Sequence, residues 1–330
     1  MTIEVMALLQ NPPTSNSNWI GEYNRLVLEY LSSQDQLTFT TTYFDDFKDG
    51  ADPLLRILAA RPHLRLLIGN SQCYLLPAIM KSGFRGKIFA HVHTLPGNMF
   101  EPYMFKYPDF EVIDTYLGCL TAAFFNSDFQ LHGALSRKLI DARAARITGF
   151  PVDGALLAKY ASAKDDRLVM FNQRLSLEKN PTLICLLTEQ LVRRGYRVEV
   201  VQGDLIDFDG ALQAYRNTLR RAGADVRVVD KESYWRTLGR AKVVVHCSAF
   251  DSFSVAAAEA VILGAELVAP RSMCYPELFP RAHLYEPYAI DQIVKMVIAA
   301  SNTRAGADHP ARAWDKRAVF ARYHDELTRN

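Results

Sequence analysis

Arg167-Leu168-Val169-Met170-Phe171-Asn172-Gln173-Arg174-Leu175-Ser176-Leu177-Glu178-Lys179-Asn180-Pro181 reads as a short apolar strand, a loop with an arginine and a lysine five residues apart, and a proline where a helix begins. A strand running straight through a polar loop into a helix is the opening unit of a parallel α/β sheet. Downstream the unit repeats, with strands near Arg197–Val201, Val226–Val229, Lys242–His246 and Glu266–Ala269 and helices near Pro181–Arg193, Gly210–Arg221, Phe253–Leu263 and Ala289–Ser301. Upstream lies a complete earlier series, with strands near Ile3–Leu9, Leu37–Thr42, Leu64–Ile68, Lys87–His91, Ala122–Asn126 and Ala145–Thr148. Helical patterns such as Trp19–Leu31 and Asp128–Ile140 separate them. The two series meet at Gly149-Phe150-Pro151-Val152-Asp153-Gly154, followed by the polar Ala161–Asp166.

The expected fold class is therefore α/β, with two Rossmann-like doubly wound parallel-sheet domains facing a cleft: residues 1–150, residues 151–310, and a closing helix over 311–330 that packs back toward the first domain. In such architectures the ligand sits at the carboxyl ends of the strands, so the chemistry is expected in the cleft.

Composition agrees with a folded chain. Of 330 residues, 49% are hydrophobic and 22% charged, and 17 Gly with 15 Pro are too few for a collagenous or disordered sequence. A net charge of +2 neither requires nor excludes nucleic acid, although Arg193, Arg194, Arg197, Arg216, Arg220 and Arg221 make the second half locally basic. Five scattered cysteines without a C-x-x-C pair fit a reduced, cytoplasmic protein better than a disulfide framework or a zinc knuckle. The first residues read as a strand and not a signal peptide. With no apolar run near the roughly 20 residues of a membrane span, any membrane contact is expected to be peripheral.

Two segments carry candidate chemistry. Arg174 and Lys179 beside a helix N-terminus suit a diphosphate, because side-chain charge, helix dipole and backbone N–H groups act together. Two solvated cations on a loop are the plain alternative. The second segment is His246-Cys247-Ser248-Ala249-Phe250-Asp251-Ser252-Phe253-Ser254-Val255-Ala256-Ala257-Ala258-Glu259, in which Ser252 or Ser254 caps a helix and Glu259 lies among apolar neighbours. A carboxylate so placed needs partners: a ribose diol, or a Lys or Arg from elsewhere in the fold.

Arg174 with Lys179, and Asp251 with Glu259 eight residues apart, resemble the nucleotide-sugar site of the retaining glycosyltransferases of family 4, which have the GT-B fold. Gly203-Asp204, Tyr234 to Ala241 and Trp314 to Tyr323 resemble further segments of that family, and the likeness spans most of residues 145–330. Tyr275-Pro276-Glu277-Leu278-Phe279-Pro280, His283-Leu284-Tyr285 and Lys179-Asn180-Pro181 look most like the branch that includes the tRNA-queuosine mannosyltransferases. The resemblance implies that Arg174 and Lys179 hold the donor diphosphate and stabilise charge on the leaving group. It implies that Glu259 takes the ribose hydroxyls, that Asp251 bonds the transferred sugar, and that Ser252, Phe253 and Ser254 present backbone to sugar or phosphate. Gly203, Val229 and Asp230 complete the implied donor site. The family usually has Glu at the position of Asp251 and Gly at that of Ser254, which leaves the sugar preference open.

In the first half, Phe89-Ala90-His91-Val92-His93-Thr94 resembles the strand end from which the family presents a histidine to the donor sugar. His93 is the candidate, and His91 reads as a core residue. Where the family shows a glycine pair after the first strand, Asn16 to Glu22 holds the single Gly21. Asn18 and Trp19 there, with Phe100 and Tyr103 from an aromatic stretch between Leu95 and Tyr116, are the acceptor-binding candidates. Those aromatics stack a ligand or pack on their own domain.

The implied activity is retaining transfer of a hexose from a UDP- or GDP-linked sugar, bound by the second domain, to an acceptor hydroxyl of a saccharide, lipid-linked or small molecule held by the first. Neither a metal nor a cofactor beyond the donor is expected, since Asp207-Phe208-Asp209 lies far from the expected phosphates and neither a Walker A sequence nor G-x-G-x-x-G occurs. Transfer to a tRNA or DNA base, nucleotide-sugar 2-epimerisation and non-catalytic nucleotide-sugar binding remain as alternatives.

Overall fold

A computed structural model describes residues 2–10, 19–94, 113–202, 211–303 and 314–329. The chain divides into two compact units, Met1–Pro151 with Ala313–Asn330, and Val152–Arg312. Each is built on a six-stranded, wholly parallel sheet.

In the first unit the strands are β1 (Ile3–Leu9), β2 (Leu37–Tyr43), β3 (Arg65–Ile68), β4 (Ile88–His91), β5 (Ala122–Phe125) and β6 (Ala145–Ile147), in the order β2-β1-β3-β4-β5-β6. Helices α1 (Trp19–Leu31), α2 (Asp52–Ala59), α3 (Leu76–Lys81) and α4 (Asp128–Ser136) connect them. Met6, Leu8, Leu66, Ile68, Ala90 and Phe125 of the sheet bury against Leu54, Leu58, Leu76 and Ile79. A parallel sheet covered by helices reads as short unbroken apolar runs, which is why the 88–91 and 122–125 segments were legible.

The second unit begins with α5 (Gly154–Leu157) and contains β7 (Asp165–Phe171), α6 (Pro181–Val192), β8 (Arg197–Gln202), α7 (Ala211–Arg221), β9 (Asp225–Val228) and α8 (Lys231–Arg240). It continues through β10 (Ala241–Val245), α9 (Val255–Ile262), β11 (Glu266–Pro270), α10 (Tyr275–Leu278), β12 (His283–Tyr285) and α11 (Ile290–Asn302). The sheet order is β12-β11-β10-β7-β8-β9. The chain therefore winds outward from β7 in one direction and from β10 in the other, and the topological switch point lies between these two strands. Both are buried over their last four residues, with Val243 paired to Val169 and Val244 to Met170. Leu183, Ile184, Leu187 and Leu191 of α6 and Ile293, Val294 and Val297 of α11 pack on the sheet. Each such side chain contributes roughly 1.5–3 kcal/mol by leaving water.

The final helix, α12 (Lys316–Thr328), belongs to the first unit. Tyr323 is fully buried there, its hydroxyl 3.1 Å from that of Tyr23, and Arg322 donates to the Thr148 carbonyl at 2.6 Å.

Several elements differ from the sequence reading: the helix read over Asp128–Ile140, for one, ends at Ser136. His283–Tyr285, read as a motif, is the edge strand β12, too short to show a period-two pattern. The 253–263 helix starts at Val255, because the Ser254 hydroxyl accepts from the Ala257 N–H; of the two candidate caps, Ser254 is the one used. Gly239 in α8 passes so close to Tyr160 that a Cβ would lie 2.0 Å from its carbonyl oxygen, so no larger residue fits.

Candidate functional site

The carboxyl ends of β7 and β10 carry the polar side chains of the second unit. After Phe171, Asn172 and Gln173 are buried amides; after Val245, His246 and Ser248 are buried as well. The loop from Arg174 to Asn180 makes a short 3-10 turn at Leu177–Lys179 and ends on Asn180 at φ 53°, in the left-handed region. From that conformation the Asn180 side chain caps α6 through the Leu183 N–H at 3.3 Å, with Pro181 in the first turn.

Both cations of this loop are paired with carboxylates. Arg174 places Nε and one terminal nitrogen 2.7 Å from Oε1 of Glu178, which also accepts from the Ser176 hydroxyl at 2.5 Å. Lys179 lies 2.9 Å from Oδ2 of Asp251, and the same oxygen accepts from Tyr275 at 3.0 Å and Ser248 at 3.3 Å. Burial alone would raise the Asp251 carboxyl. The Lys179 ammonium outweighs it, with the Tyr275 hydrogen bond assisting, and holds the group below the usual carboxylate range. The Glu178 carbonyl accepts from the Ala249 and Phe250 N–H groups at 2.8 and 3.2 Å, which fastens the loop bearing Lys179 to the loop bearing Asp251.

Glu259, 2% exposed on α9, is engaged by three donors from α8: Lys231 at 2.6 Å and Trp235 at 2.9 Å on Oε1, and Tyr234 at 2.8 Å on Oε2. Of the two partners open from sequence, the basic residue elsewhere in the fold is present.

Buried polar contacts run from the Glu259 end to the Asp251 end. The Asn172 amide donates to Tyr234 at 3.0 Å and to the Ala256 carbonyl at 2.9 Å, so its oxygen is the acceptor facing His246 Nε2 at 2.9 Å. Nε2 therefore carries the proton. Nδ1 is the acceptor and takes a hydrogen bond from the Ser254 hydroxyl at 3.2 Å; the Tyr275 oxygen lies 3.0 Å away, but its one proton goes to Asp251. Burial pushes the imidazole down to about 3, so it is neutral at physiological pH. Gln173 bridges the same two strand ends, accepting from the Cys247 N–H at 2.8 Å and donating to Ser248 at 2.5 Å.

Arg174, Lys179, Asp251, Ser252, Phe253, Ser254 and Glu259 thus share one end of one sheet. Asp230 is exposed and caps α8 through the Ser233 N–H at 2.8 Å; Val229 precedes it on the same connection. His93 belongs to the first unit, after β4. It is 7% exposed, with Nε2 donating to the Gly69 carbonyl at 2.6 Å and its ring edge-on to Tyr23 at 4.8 Å. Burial lowers it to about 3. His91 is fully buried against Tyr323, as a core residue. Gly203, Asn18, Phe100 and Tyr103, the Asp207–Asp209 pair and the Trp19 side chain lie outside the described residues. Among the described residues no cluster of three or more His, Cys, Asp or Glu is placed to hold a metal ion, and no helix is long and apolar enough to cross a membrane.

The sequence reading missed Asn172, Gln173, Glu178, Tyr234, His246 and Ser248 as members of the site. Five of them share a signal, a polar residue just past the apolar end of β7 or β10 or on the loop that follows, whereas Tyr234 lies inside α8 and has no such signal.

Solved structures similar to this chain place the fold. HepE from Anabaena, in complex with UDP and glucose, matches with a TM-score of 0.74 at 13% identity, covering 99% of this chain and 100% of that one. The alpha,alpha-trehalose 6-phosphate synthase of Burkholderia multivorans matches with a TM-score of 0.70 at 12% identity, covering 99% and 98%. The two parallel six-stranded sheets with interleaved helices are the α/β fold of the GT-B type. No family model matches the chain. In sequence, 121 residues are 25% identical to the tRNA-queuosine alpha-mannosyltransferase of Drosophila melanogaster, covering 36% of this chain and about a third, 32%, of that protein's length.

Proposed function

We propose that this protein is a glycosyltransferase of the family 4 kind. It moves a hexose from a nucleoside diphospho-sugar to an acceptor hydroxyl with retention of configuration, without a metal, in the cytoplasm. The observation that carries the reading is the convergence of Arg174, Lys179, Asp251 and Glu259 on the carboxyl ends of β7 and β10, the switch point where doubly wound sheets bind their ligands. The UDP bound to HepE, a protein of the same fold, supports the donor class.

In this reading Arg174 and Lys179 meet the diphosphate and stabilise the charge that grows on it as the glycosidic bond breaks, the interaction that strengthens most toward the transition state. The acceptor oxygen attacks the anomeric carbon on the face from which the diphosphate departs, and its proton passes to the leaving phosphate oxygen. No protein nucleophile takes part. Asp251 accepts from hydroxyls of the transferred sugar. Glu259 accepts from the ribose diol, with Lys231, Tyr234 and Trp235 holding its carboxylate at the site. His93 of the first unit, kept neutral with Nε2 committed to Gly69, addresses the sugar, and the first unit supplies the acceptor site.

One acceptor class is favoured by a specific observation: the 121-residue match to a tRNA-queuosine alpha-mannosyltransferase supports transfer to a modified nucleoside of tRNA. The test is binding and slow hydrolysis of UDP-, GDP-, ADP- and dTDP-sugars by the wild type, Arg174→Ala and Glu259→Ala. One nucleotide class bound and turned over by the wild type alone is the expected result. Equal behaviour of all three proteins, or no binding, refutes the donor site.

A further inference from the structure

Lys179 and Asp251 are each other's partner at 2.9 Å, with side chains 15% and 9% exposed. An ammonium has three N–H donors; one is spent on Asp251, and the Phe250 carbonyl lies 3.4 Å away for another. A phosphate arriving at Lys179 therefore meets a carboxylate already in place, and two anions cannot share one partly buried ammonium without loss. The carboxylate can be released, because Oδ2 of Asp251 also accepts from the Tyr275 and Ser248 hydroxyls. The loops need not separate, since the Glu178 carbonyl pins them through backbone bonds to Ala249 and Phe250. The other cation differs: Glu178, 2% exposed and held also by Ser176, grips Arg174 through two nitrogens of a planar fork.

We propose that Asp251 competes with the donor's diphosphate for Lys179, so that capture of phosphate by the ammonium and release of the carboxylate toward a sugar hydroxyl are one exchange. This rests on the donor-site reading above and adds its coupling: a nucleotide alone breaks the pair without compensation, whereas a nucleotide sugar supplies hydroxyl donors to the freed Asp251.

The experiment is calorimetric titration of UDP and GDP into the wild type, Asp251→Asn, Lys179→Ala and the double variant. Removing the competing charge is expected to tighten binding of the preferred nucleotide roughly three- to tenfold while transfer is lost, a coupling suited to a largely buried pair. In the Lys179→Ala background the same change is expected to give no gain. Unchanged or weakened binding in Asp251→Asn overturns the exchange, as does an equal gain in both backgrounds, which would reflect net charge alone. If Asp251→Asn does not fold, Tyr275→Phe decides. Without the phenol the carboxylate leans harder on Lys179, so nucleotide binding weakens about two- to threefold, and tighter binding contradicts the proposal. A wild type that binds no nucleotide refutes the donor site itself, a different result from a wild type that binds and variants that do not tighten.

Discussion

The two sheets are alike in architecture and unlike in what they carry at their carboxyl ends. In the second unit the strand ends hold ion pairs, Arg174 with Glu178, Lys179 with Asp251 and Lys231 with Glu259, threaded together by buried amides and a neutral histidine. In the first unit the ends of β3 to β5 hold imidazoles and amides: His91 against Tyr323, His93 on the Gly69 carbonyl, and Asn126 and Gln130 on the Val92 carbonyl. Paired charges can be redirected to a charged ligand by exchange, whereas neutral buried groups can only orient what comes to them. Among the described residues, one set of strand ends thus carries paired ions and the other neutral hydrogen-bonding groups.

Acid should separate the two ends most strongly. His91 and His93 in the first unit and His246 in the second are buried and neutral, with folded-state values pushed below the ordinary 6.5. The unfolded chain binds these protons first, so the stabilisation is complete above pH 6.5 and is lost as pH falls from there toward the depressed folded values. Each histidine costs about 1.4 kcal/mol per pH unit in that window. With two against one, the first unit should lose stability about twice as fast between pH 6.5 and 5, a difference that amide hydrogen exchange measured separately for the two units would read. Equal slopes would remove the contrast. Asp251 acts later, since its contribution begins to fall only as the pH enters the ordinary carboxylate range and goes on falling toward its lowered folded value.

Next in size is Glu259→Ala, which removes the carboxylate partner of Lys231 and the acceptor of Tyr234 and Trp235. A loss of about 3 kcal/mol is expected in denaturant unfolding, at the low end for a buried pair because Lys231 keeps access to water. Tyr275→Phe removes a hydrogen bond to a charged group and should cost about 2 kcal/mol. Its counterpart Tyr323→Phe removes only neutral partners, Tyr23 and His91, and should cost about 1 kcal/mol. If the two tyrosines cost the same, charge does not distinguish the two ends energetically.

The contrast between the two sheets was only half legible in the sequence. The strands β7 and β10 announce themselves as apolar runs, and Arg174, Lys179, Asp251 and Glu259 stand out because charge beside such a run needs an explanation. Their partners do not stand out. Asn172 and His246 are 74 positions apart, and their bond exists only because β7 and β10 are neighbours across the switch point. Lys231 could be placed on Glu259 only once α8 was known to lie against α9, and α8 is largely polar. The three-residue β12 gives no periodic signal, and the left-handed cap at Asn180 is a backbone event that a polar loop does not advertise. Charges were visible one at a time; pairing required the fold.

The most direct measurement is hydrogen exchange of the whole protein with and without saturating UDP or GDP, resolved by peptide. Protection is expected in the second unit, over residues 171–181, 228–235 and 246–259, where the cations, Glu259 and their network converge. Protection confined to the first unit, or to neither, would contradict a nucleotide diphosphate site at the ends of β7 and β10.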